Sequence, residues 1–190
     1  MKSWLLTLAQ TAEWHALLLE LPPERRDIYY TPEYYAADAS GKEVEVCCWC
    51  CRDGKRLALY PFYKRLVNHF DLVPLDRAYY DIEGAYGYNG FICNDEDESF
   101  VDRCYADFAE FCHREQIVAE FTRFHPLLRN FRLAEKHMNV IYLHDTVFID
   151  LSGGHEQVWN NAYDAKTRNM IQKKKKNGLT CRRSEDWSGF

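Results

Sequence analysis

The sequence lacks the features that mark several large classes of protein. No apolar run approaches the ~18 to 20 residues of a membrane-spanning helix. The apolar stretch 4–8 near the N-terminus is too short and too polar for a signal peptide. There is no fixed-period repeat and no Gly/Ser-rich or Pro-rich linker. We therefore expect a cytoplasmic protein in which residues 1–190 form a single domain.

The composition that is present is that of a globular protein. The 190 residues are 47% apolar and 28% charged, which excludes a disordered, collagen-like or coiled-coil chain. The net charge of −5 is unevenly distributed, because residues 1–163 carry 16 basic and 26 acidic side chains and residues 164–190 carry 8 and 3. Such a basic segment often marks a site for an anionic partner, phosphate or nucleic acid, and a solvated helix face is the alternative.

Eight cysteines do not predict a disulfide framework, because nothing indicates export and a domain of this size can fold without disulfide bonds. The run Cys47–Cys51 contains two overlapping C-x-x-C spacings, which are typical of metal or redox sites. However, no second C-x-x-C pair exists, and the run lies between the alternating segment 43–46 and the hairpin turn signal Asp53-Gly54. We therefore predict strand cysteines that are buried as inert thiols, with no metal site.

The hydrophobic periodicity, together with the residues that cap or end helices and strands, predicts a mixture of helices and strands. Helices are predicted over residues 11–21, from residue 31, and over residues 98–115, 127–136, 156–163 and 164–177. Strands are predicted in the hairpin and over residues 66–73, 79–82, 117–122 and 146–151. This mixture indicates an α/β or α+β sheet domain.

The final helix is the first candidate for function. Lys166, Arg168 and the four lysines 173–176 give it a strong positive charge. Lysines in the last turn favour the negative end of the helix dipole, but four in succession repel one another. Its surface could hold a diphosphate or an RNA backbone, with Arg168 supplying a forked donor. A helix face that is simply exposed to solvent, with no ligand, would explain the same charges equally well.

Two further segments could carry chemistry. Residues 80–90 combine tyrosines, which offer flat walls with hydroxyls, and glycines, which permit close approach of a ligand. A strand-to-loop corner packed by tyrosines is the simpler interpretation. In the segment 123–130, His125 could act as an acid or base, although a lone histidine is more often a hydrogen-bonded structural residue.

Six segments follow one another in a distinctive order between about residues 27 and 178. They are Asp27 with Tyr29–Tyr35, the strand ending at Tyr60-Pro61, Tyr86–Gly90, Arg123–Leu127 with Asn130, Thr146–Leu151, and Lys166–Gly178. Their succession resembles the FemAB-like branch of the GNAT acyltransferase superfamily. The Arg-Phe-x-Pro-Leu pattern at 123–127 and the Lys-x-Arg-x-x-Ile pattern at 166–171 are the most specific parts.

The resemblance implies a GNAT-like mixed, largely antiparallel sheet flanked by helices. It implies transfer of an acyl or aminoacyl group to an amine in bacterial cell-envelope synthesis of the peptidoglycan type, with acyl-CoA or aminoacyl-tRNA as donor substrate and no tightly bound cofactor. The expected acceptor is anionic, a nucleotide-linked or lipid-linked sugar diphosphate, and tRNA is a further expected partner. The residues expected to bind substrate are Tyr86, Tyr88, Arg123, His125, Lys166, Arg168 and Lys173.

The sequence departs from that family in ways that limit the expected activity. Family members usually contain two tandem GNAT-like units, and this chain matches the first, so we expect substrate binding rather than complete catalysis, with a second unit or a homodimer supplying the rest. No catalytic triad stands out, and the Arg/Lys-x-x-Gly-x-Gly/Ala loop that holds acyl-CoA pyrophosphate is missing. Two alternatives remain: a non-enzymatic module that binds anions or RNA through the basic helix, and a stand-alone acyl-CoA-dependent N-acetyltransferase.

Overall fold

The computed structural model describes residues 1–67 and 75–185. The chain divides into two compact units, Met1–Tyr142 and Leu143–Phe190, and each is described by itself. The first unit contains the strands β1 (Lys2–Thr7), β2 (Glu45–Asp53), β3 (Arg56–Leu66), β4 (Tyr80–Glu83), β5 (Ile92–Cys93) and β6 (Ile117–Phe121). Its helices are α1 (Thr11–Glu20), α2 (Pro32–Asp38), α3 (Glu98–Arg114) and α4 (Phe131–Ala134), with short 3₁₀ turns at Leu8–Gln10, Pro23–Arg25 and Ile28–Tyr30.

The strands form one six-stranded sheet in the order β1-β2-β3-β4-β6, with β5 paired to the other half of the β3 edge that β4 uses. All pairings are antiparallel except β4 with β6, which is parallel. The predicted mixed, largely antiparallel sheet flanked by helices is therefore confirmed. The β2–β3 hairpin is also confirmed, because Asp53 pairs with Arg56 across a turn in which Gly54 has a φ of +63°.

Both faces of the sheet are buried at the central strands β2 and β3, and the side chains of β2 alternate between them. Cys47, Trp49 and Cys51 pack on the face covered by α3. Cys48 and Cys50 pack on the face covered by α1 and α2, against core residues that include Trp14. The prediction that the four clustered cysteines are buried strand residues is confirmed, since each is fully buried and unpaired.

Several sequence-based boundaries differ from the structure. The helix predicted over 127–136 is shorter, because Arg129 adopts a left-handed φ of +54° and the helix can begin only after Asn130. The strand predicted over Thr146–Leu151 is absent from the second unit as described: the segment pairs with no strand, and an unpaired strand is not stable in water. Strands β1 and β5 were not predicted. Of the predicted segment 66–73, Leu66 ends β3, and residues 68–74 lie outside the described residues.

The second unit contains α5 (Gly154–Gln157), a π-helical turn (Val158–Ala162) and α6 (Ala165–Lys176). The predicted start and end of α6 are confirmed. The Asp164 carboxylate accepts a hydrogen bond from the backbone N–H of Thr167 at 2.6 Å, and Gly178 has a φ of +80° just beyond the helix. Within the described ranges of the chain, no helix is long and apolar enough to cross a membrane.

Candidate functional site

The sheet opens at the carboxyl ends of its two parallel strands. Regular pairing of β4 with β6 ends at Glu83 and Phe121, and a single parallel bridge between Asn89 and Phe124 restores it. Between these points residues 84–88 leave the sheet as a loop, which we call the tyrosine loop. Ligands of open sheets bind preferentially beyond the carboxyl ends of parallel strands, so this opening is the candidate site.

Two glycines allow the tyrosine loop to lie close against its neighbours. A Cβ atom at Gly84 would lie 2.3 Å from Cγ of Asn89, and one at Gly87, whose φ is +110°, would lie 2.3 Å from the ring of Tyr29. The loop is further fixed by the Tyr34 hydroxyl, which donates to the carbonyl of Tyr86 at 2.6 Å. These contacts hold the backbone while leaving the Tyr86 ring 77% exposed.

His125 lies under the tyrosine loop and is almost completely buried. Its Nδ1 accepts hydrogen bonds from the backbone N–H groups of Leu127 and Leu128, both at 3.2 Å. The ring proton is therefore on Nε2, which donates to the Asp27 carboxylate at 3.3 Å. Burial lowers the pKa of His125, and the negative charge of Asp27 opposes this effect only in part. His125 is thus a neutral, hydrogen-bonded residue at neutral pH.

Aromatic contacts connect His125 to the opening. The Tyr88 ring lies 4.9 Å from the imidazole, centroid to centroid, and Tyr29 contacts both rings at 5.2 and 6.0 Å. Tyr88 and His125, two of the residues that the sequence predicts to bind substrate, therefore lie in contact. Arg123 has an exposed side chain, and its backbone N–H donates to Oδ1 of Asn89, the residue after Tyr88, at 2.8 Å.

Asn130 is a buried amide that the sequence analysis assigned no role. Its Nδ2 donates to the Tyr30 hydroxyl and to the carbonyls of Asn89 and Phe91, at 2.9 to 3.1 Å. Its Oδ1 accepts from the backbone N–H of His125 at 2.9 Å. Asn130 therefore ties the segment after the tyrosine loop to the turn that carries His125. No local pattern distinguishes it from an exposed loop asparagine.

Glu120 lies on the opposite face of the sheet, and the sequence analysis missed it. Its Oε1 accepts hydrogen bonds from the buried Tyr60 hydroxyl and, at 2.8 Å, from the Thr122 hydroxyl. Burial raises its pKa, and these two hydrogen bonds only partly oppose the increase. Between Tyr80 and Asp81 the register shifts, because one step along β4 is matched by two steps along β6. This irregularity breaks the alternation of β6, so a carboxyl facing the core could not be recognised from spacing alone.

The other three predicted residues lie on α6, in the second unit. Lys166 and Lys173 are exposed. Arg168 instead donates through Nη1 to the backbone carbonyls of Trp159, Asn160 and Tyr163. These are carbonyls of the π-helical turn and the residue after it, so part of this guanidinium has a structural role.

Among residues 1–67 and 75–185, no group of three or more His, Cys, Asp or Glu side chains is arranged to hold a metal ion. Comparisons of the chain with protein-family models, with curated proteins and with solved structures found no match.

Proposed function

We propose that this chain is a cytoplasmic acyl or aminoacyl transferase unit that acts on an amine acceptor in bacterial cell-envelope synthesis of the peptidoglycan type. Its contribution is substrate binding rather than complete catalysis. The acceptor is an anionic nucleotide-linked or lipid-linked sugar diphosphate, and acyl-CoA or aminoacyl-tRNA is the donor. A second GNAT-like unit, or a second copy of the chain, completes the reaction.

The observation that carries this proposal is the opening between β4 and β6. It lies beside the one parallel pair of the described sheet, its backbone is held by the buried amide of Asn130, and its rim presents the exposed Tyr86 ring. A backbone held by hydrogen bonds beside an exposed aromatic ring suits the sugar portion of an acceptor, because a flat ring covers a sugar at little entropic cost.

The chemistry of amine acylation also needs a group that accepts the proton of the attacking amine. Glu120, whose pKa is raised by burial and whose Oε2 accepts no hydrogen bond within the described residues, lies on the opposite face of the sheet from the opening, so it does not supply this group at the site. This is consistent with a unit that binds substrate and is completed elsewhere.

Calorimetric titration with a nucleotide-linked sugar diphosphate that carries a peptide amine tests this function. The wild-type chain is expected to bind it, and Tyr86→Ser is expected to bind roughly tenfold more weakly, because a stacking ring contributes about 0.5 to 1.5 kcal/mol. Phe148→Ser, which removes an exposed ring from the second unit, is the matched control. Absence of binding, or equal affinity in the wild type and Tyr86→Ser, would refute the proposal. Transfer from acetyl-CoA by this chain alone would favour the stand-alone N-acetyltransferase.

A second candidate function is binding of an anion or of RNA by α6. The observation that favours it is charge: α6 contains six cations and no acidic residue, and none of these cations forms an ion pair within the described residues. Acidic residues three or four positions away would pair with these lysines on the helix surface, and α6 contains none. Their absence leaves the positive charge available to phosphate groups.

A further inference from the structure

The second unit contains a cavity of about 430 Å³ that the sequence analysis did not anticipate. Residues of α5, the π-helical turn and α6 line it together with Leu151. The lining includes His155, Trp159, Tyr163, Ile171 and Lys175. Its volume lies within the range of small-molecule binding sites, which are mostly apolar with a few polar groups at the edge.

The walls of this cavity are aromatic and their positions are fixed by hydrogen bonds. The ring of Trp159 is parallel to that of His155, with an interplanar angle of 9°, and perpendicular to that of Tyr163. Arg168 of α6 donates hydrogen bonds to the carbonyls of Trp159 and Asn160 in the π-helical turn and of Tyr163 just after it. Arg168 thereby sets the distance between the turn that carries Trp159 and the helix that carries Lys175.

One lysine of α6, Lys175, lines the cavity, and three more are its neighbours in the chain. The Nζ atom of Lys175 lies 5.8 Å from the centroid of the Trp159 ring. Lys173, Lys174 and Lys176 are exposed beside it in the same helical turn. An aromatic wall next to a cluster of unpaired cations is the combination by which proteins bind single-stranded nucleic acid: the base stacks on the ring and the backbone phosphates contact the cations.

We propose that the Trp159 cavity binds a base of single-stranded RNA, while Lys173–Lys176 contact the flanking phosphates. The proposal rests on the second candidate function, binding of RNA by α6, and adds the site at which a base is held. Charge complementarity favours this occupant. An inorganic anion would contact the lysines without using the aromatic wall, and a duplex keeps its bases stacked within itself, so of these three ligands the single strand is the one that uses both features.

The test measures binding of a fluorescein-labelled 12-nucleotide single-stranded RNA by fluorescence anisotropy over a salt series. A second probe has the same length and charge but is abasic. The wild type is expected to bind the RNA more tightly than the abasic strand. Trp159→Leu is expected to weaken RNA binding by roughly 5- to 150-fold, the effect of losing one stacking ring, and to bind both probes equally. Lys175→Gln is expected to reduce the salt slope by about 0.7, the value of one phosphate contact on a single strand.

Matched variants separate this site from a general effect on the chain. Trp4→Leu and Lys55→Gln remove a tryptophan and an exposed lysine from the first unit and should leave binding unchanged. Trp159→Phe, which keeps an aromatic ring, should retain most of the affinity if the cavity folds. Salt-dependent binding that is equal for both probes in the wild type would overturn the base-binding site and leave α6 as an RNA-backbone or anion surface. Absence of any binding would overturn both. Tighter binding of the RNA that persists in Trp159→Leu would place the base elsewhere and overturn the proposal.

Discussion

Nε2 of His125 lies 3.3 Å from Oδ2 of Asp27, a residue 98 positions earlier in the chain. Since Nδ1 of the same ring already accepts two backbone N–H groups, the imidazole is fixed as the neutral tautomer with its proton directed at Asp27. One side chain thus joins the 3₁₀ turn after Asp27 to the turn that precedes α4. Protonation of Nδ1 would remove the acceptor of these two hydrogen bonds and place its own N–H against the two backbone N–H groups.

Stability is therefore expected to depend on the protonation of His125. Its pKa is lowered in the folded protein, so the unfolded chain binds a proton at a higher pH than the folded chain does. The free energy of unfolding should fall as the pH decreases below the ordinary histidine pKa of about 6.5. His125→Asn retains an acceptor for the two N–H groups but cannot reach Asp27, and should cost about 1 to 3 kcal/mol at pH 7.5.

Urea unfolding of wild type and His125→Asn at pH 7.5 and 5.0 measures this effect. The stability difference between the two proteins should shrink toward pH 5.0. His113→Asn, which changes an exposed histidine, should follow the wild type at both pH values. A difference that grows as the pH decreases would show that the protonated imidazole is the stabilising form.

The sequence predicted those parts of the fold whose causes are local. The caps, periodicity and turn residues of α3, α6 and the β2–β3 hairpin all lie within the elements themselves. Strand β1 was missed because it is defined by its pairing with β2, some 45 residues away. The segment Thr146–Leu151 was assigned as a strand on its composition, but strand formation needs a partner edge that composition cannot specify.

In the candidate site too, the sequence indicates individual residues but not the contacts between residues that are far apart in the chain. Tyr88 and His125 are both predicted from the sequence as substrate-binding residues, but their contact with each other is visible only in the structure. Their partner Asp27 was noted only as part of a pattern, because the pairing across the chain has no sequence signal. Arg168 is predicted from the sequence as a phosphate ligand, because a guanidinium can donate two parallel hydrogen bonds. Its contacts with three carbonyls depend on a π-helical turn that the periodicity of the sequence does not indicate.

Glu120 is expected to make folding less favourable as the pH rises. Its pKa is raised in the folded protein, so the folded state keeps a proton that the unfolded chain has lost. The free energy of unfolding should therefore decrease as the pH rises from the ordinary glutamate pKa through the raised value. Glu120→Gln removes this titration, and its stability relative to wild type should increase from pH 4.5 to pH 8, measured by urea unfolding.

The hydrogen bond from Tyr60 provides an independent check on Glu120. Tyr60→Phe should destabilise the protein by about 1 to 3 kcal/mol, because it leaves a buried carboxyl with one donor fewer. Tyr105→Phe is the matched control, since that hydroxyl lies near the same core but forms no hydrogen bond within the described residues. Equal effects of the two substitutions would mean that Tyr60 contributes by packing alone. If Glu120→Gln is more stable than wild type chiefly at acid pH, the pKa of Glu120 is lowered in the folded protein and the direction given above is wrong.

The cysteines are expected to differ sharply in reactivity toward a thiol reagent such as DTNB. Cys181 is exposed and should react at once. The six buried cysteines should react only after unfolding in guanidinium, and burial raises the pKa of both Cys47 and Cys93 to about 12, which suppresses the reactive thiolate. Cys181→Ser should abolish the fast phase.

The same thiols allow the metal question to be tested. If the clustered cysteines are core residues, the purified protein should contain no stoichiometric zinc, and its melting temperature should be unchanged by a chelator. Rapid reaction of several buried thiols in the native protein, or zinc whose removal unfolds it, would contradict the assignment of Cys47–Cys51 as inert strand residues.

Arg168 is expected to stabilise the helical turn before α6 through hydrogen bonds rather than through charge. Arg168→Met keeps the apolar stem but leaves the carbonyls of Trp159, Asn160 and Tyr163 without this donor, at a cost of about 1 to 3 kcal/mol. Hydrogen exchange measured by mass spectrometry should therefore become faster in residues 158–168. Lys166→Met removes an equal charge from the same helix without breaking a hydrogen bond, and it should leave exchange there unchanged. If both substitutions accelerate exchange equally, Arg168 acts only as one of the six cations, and the spacing between Trp159 and Lys175 must be set by other contacts.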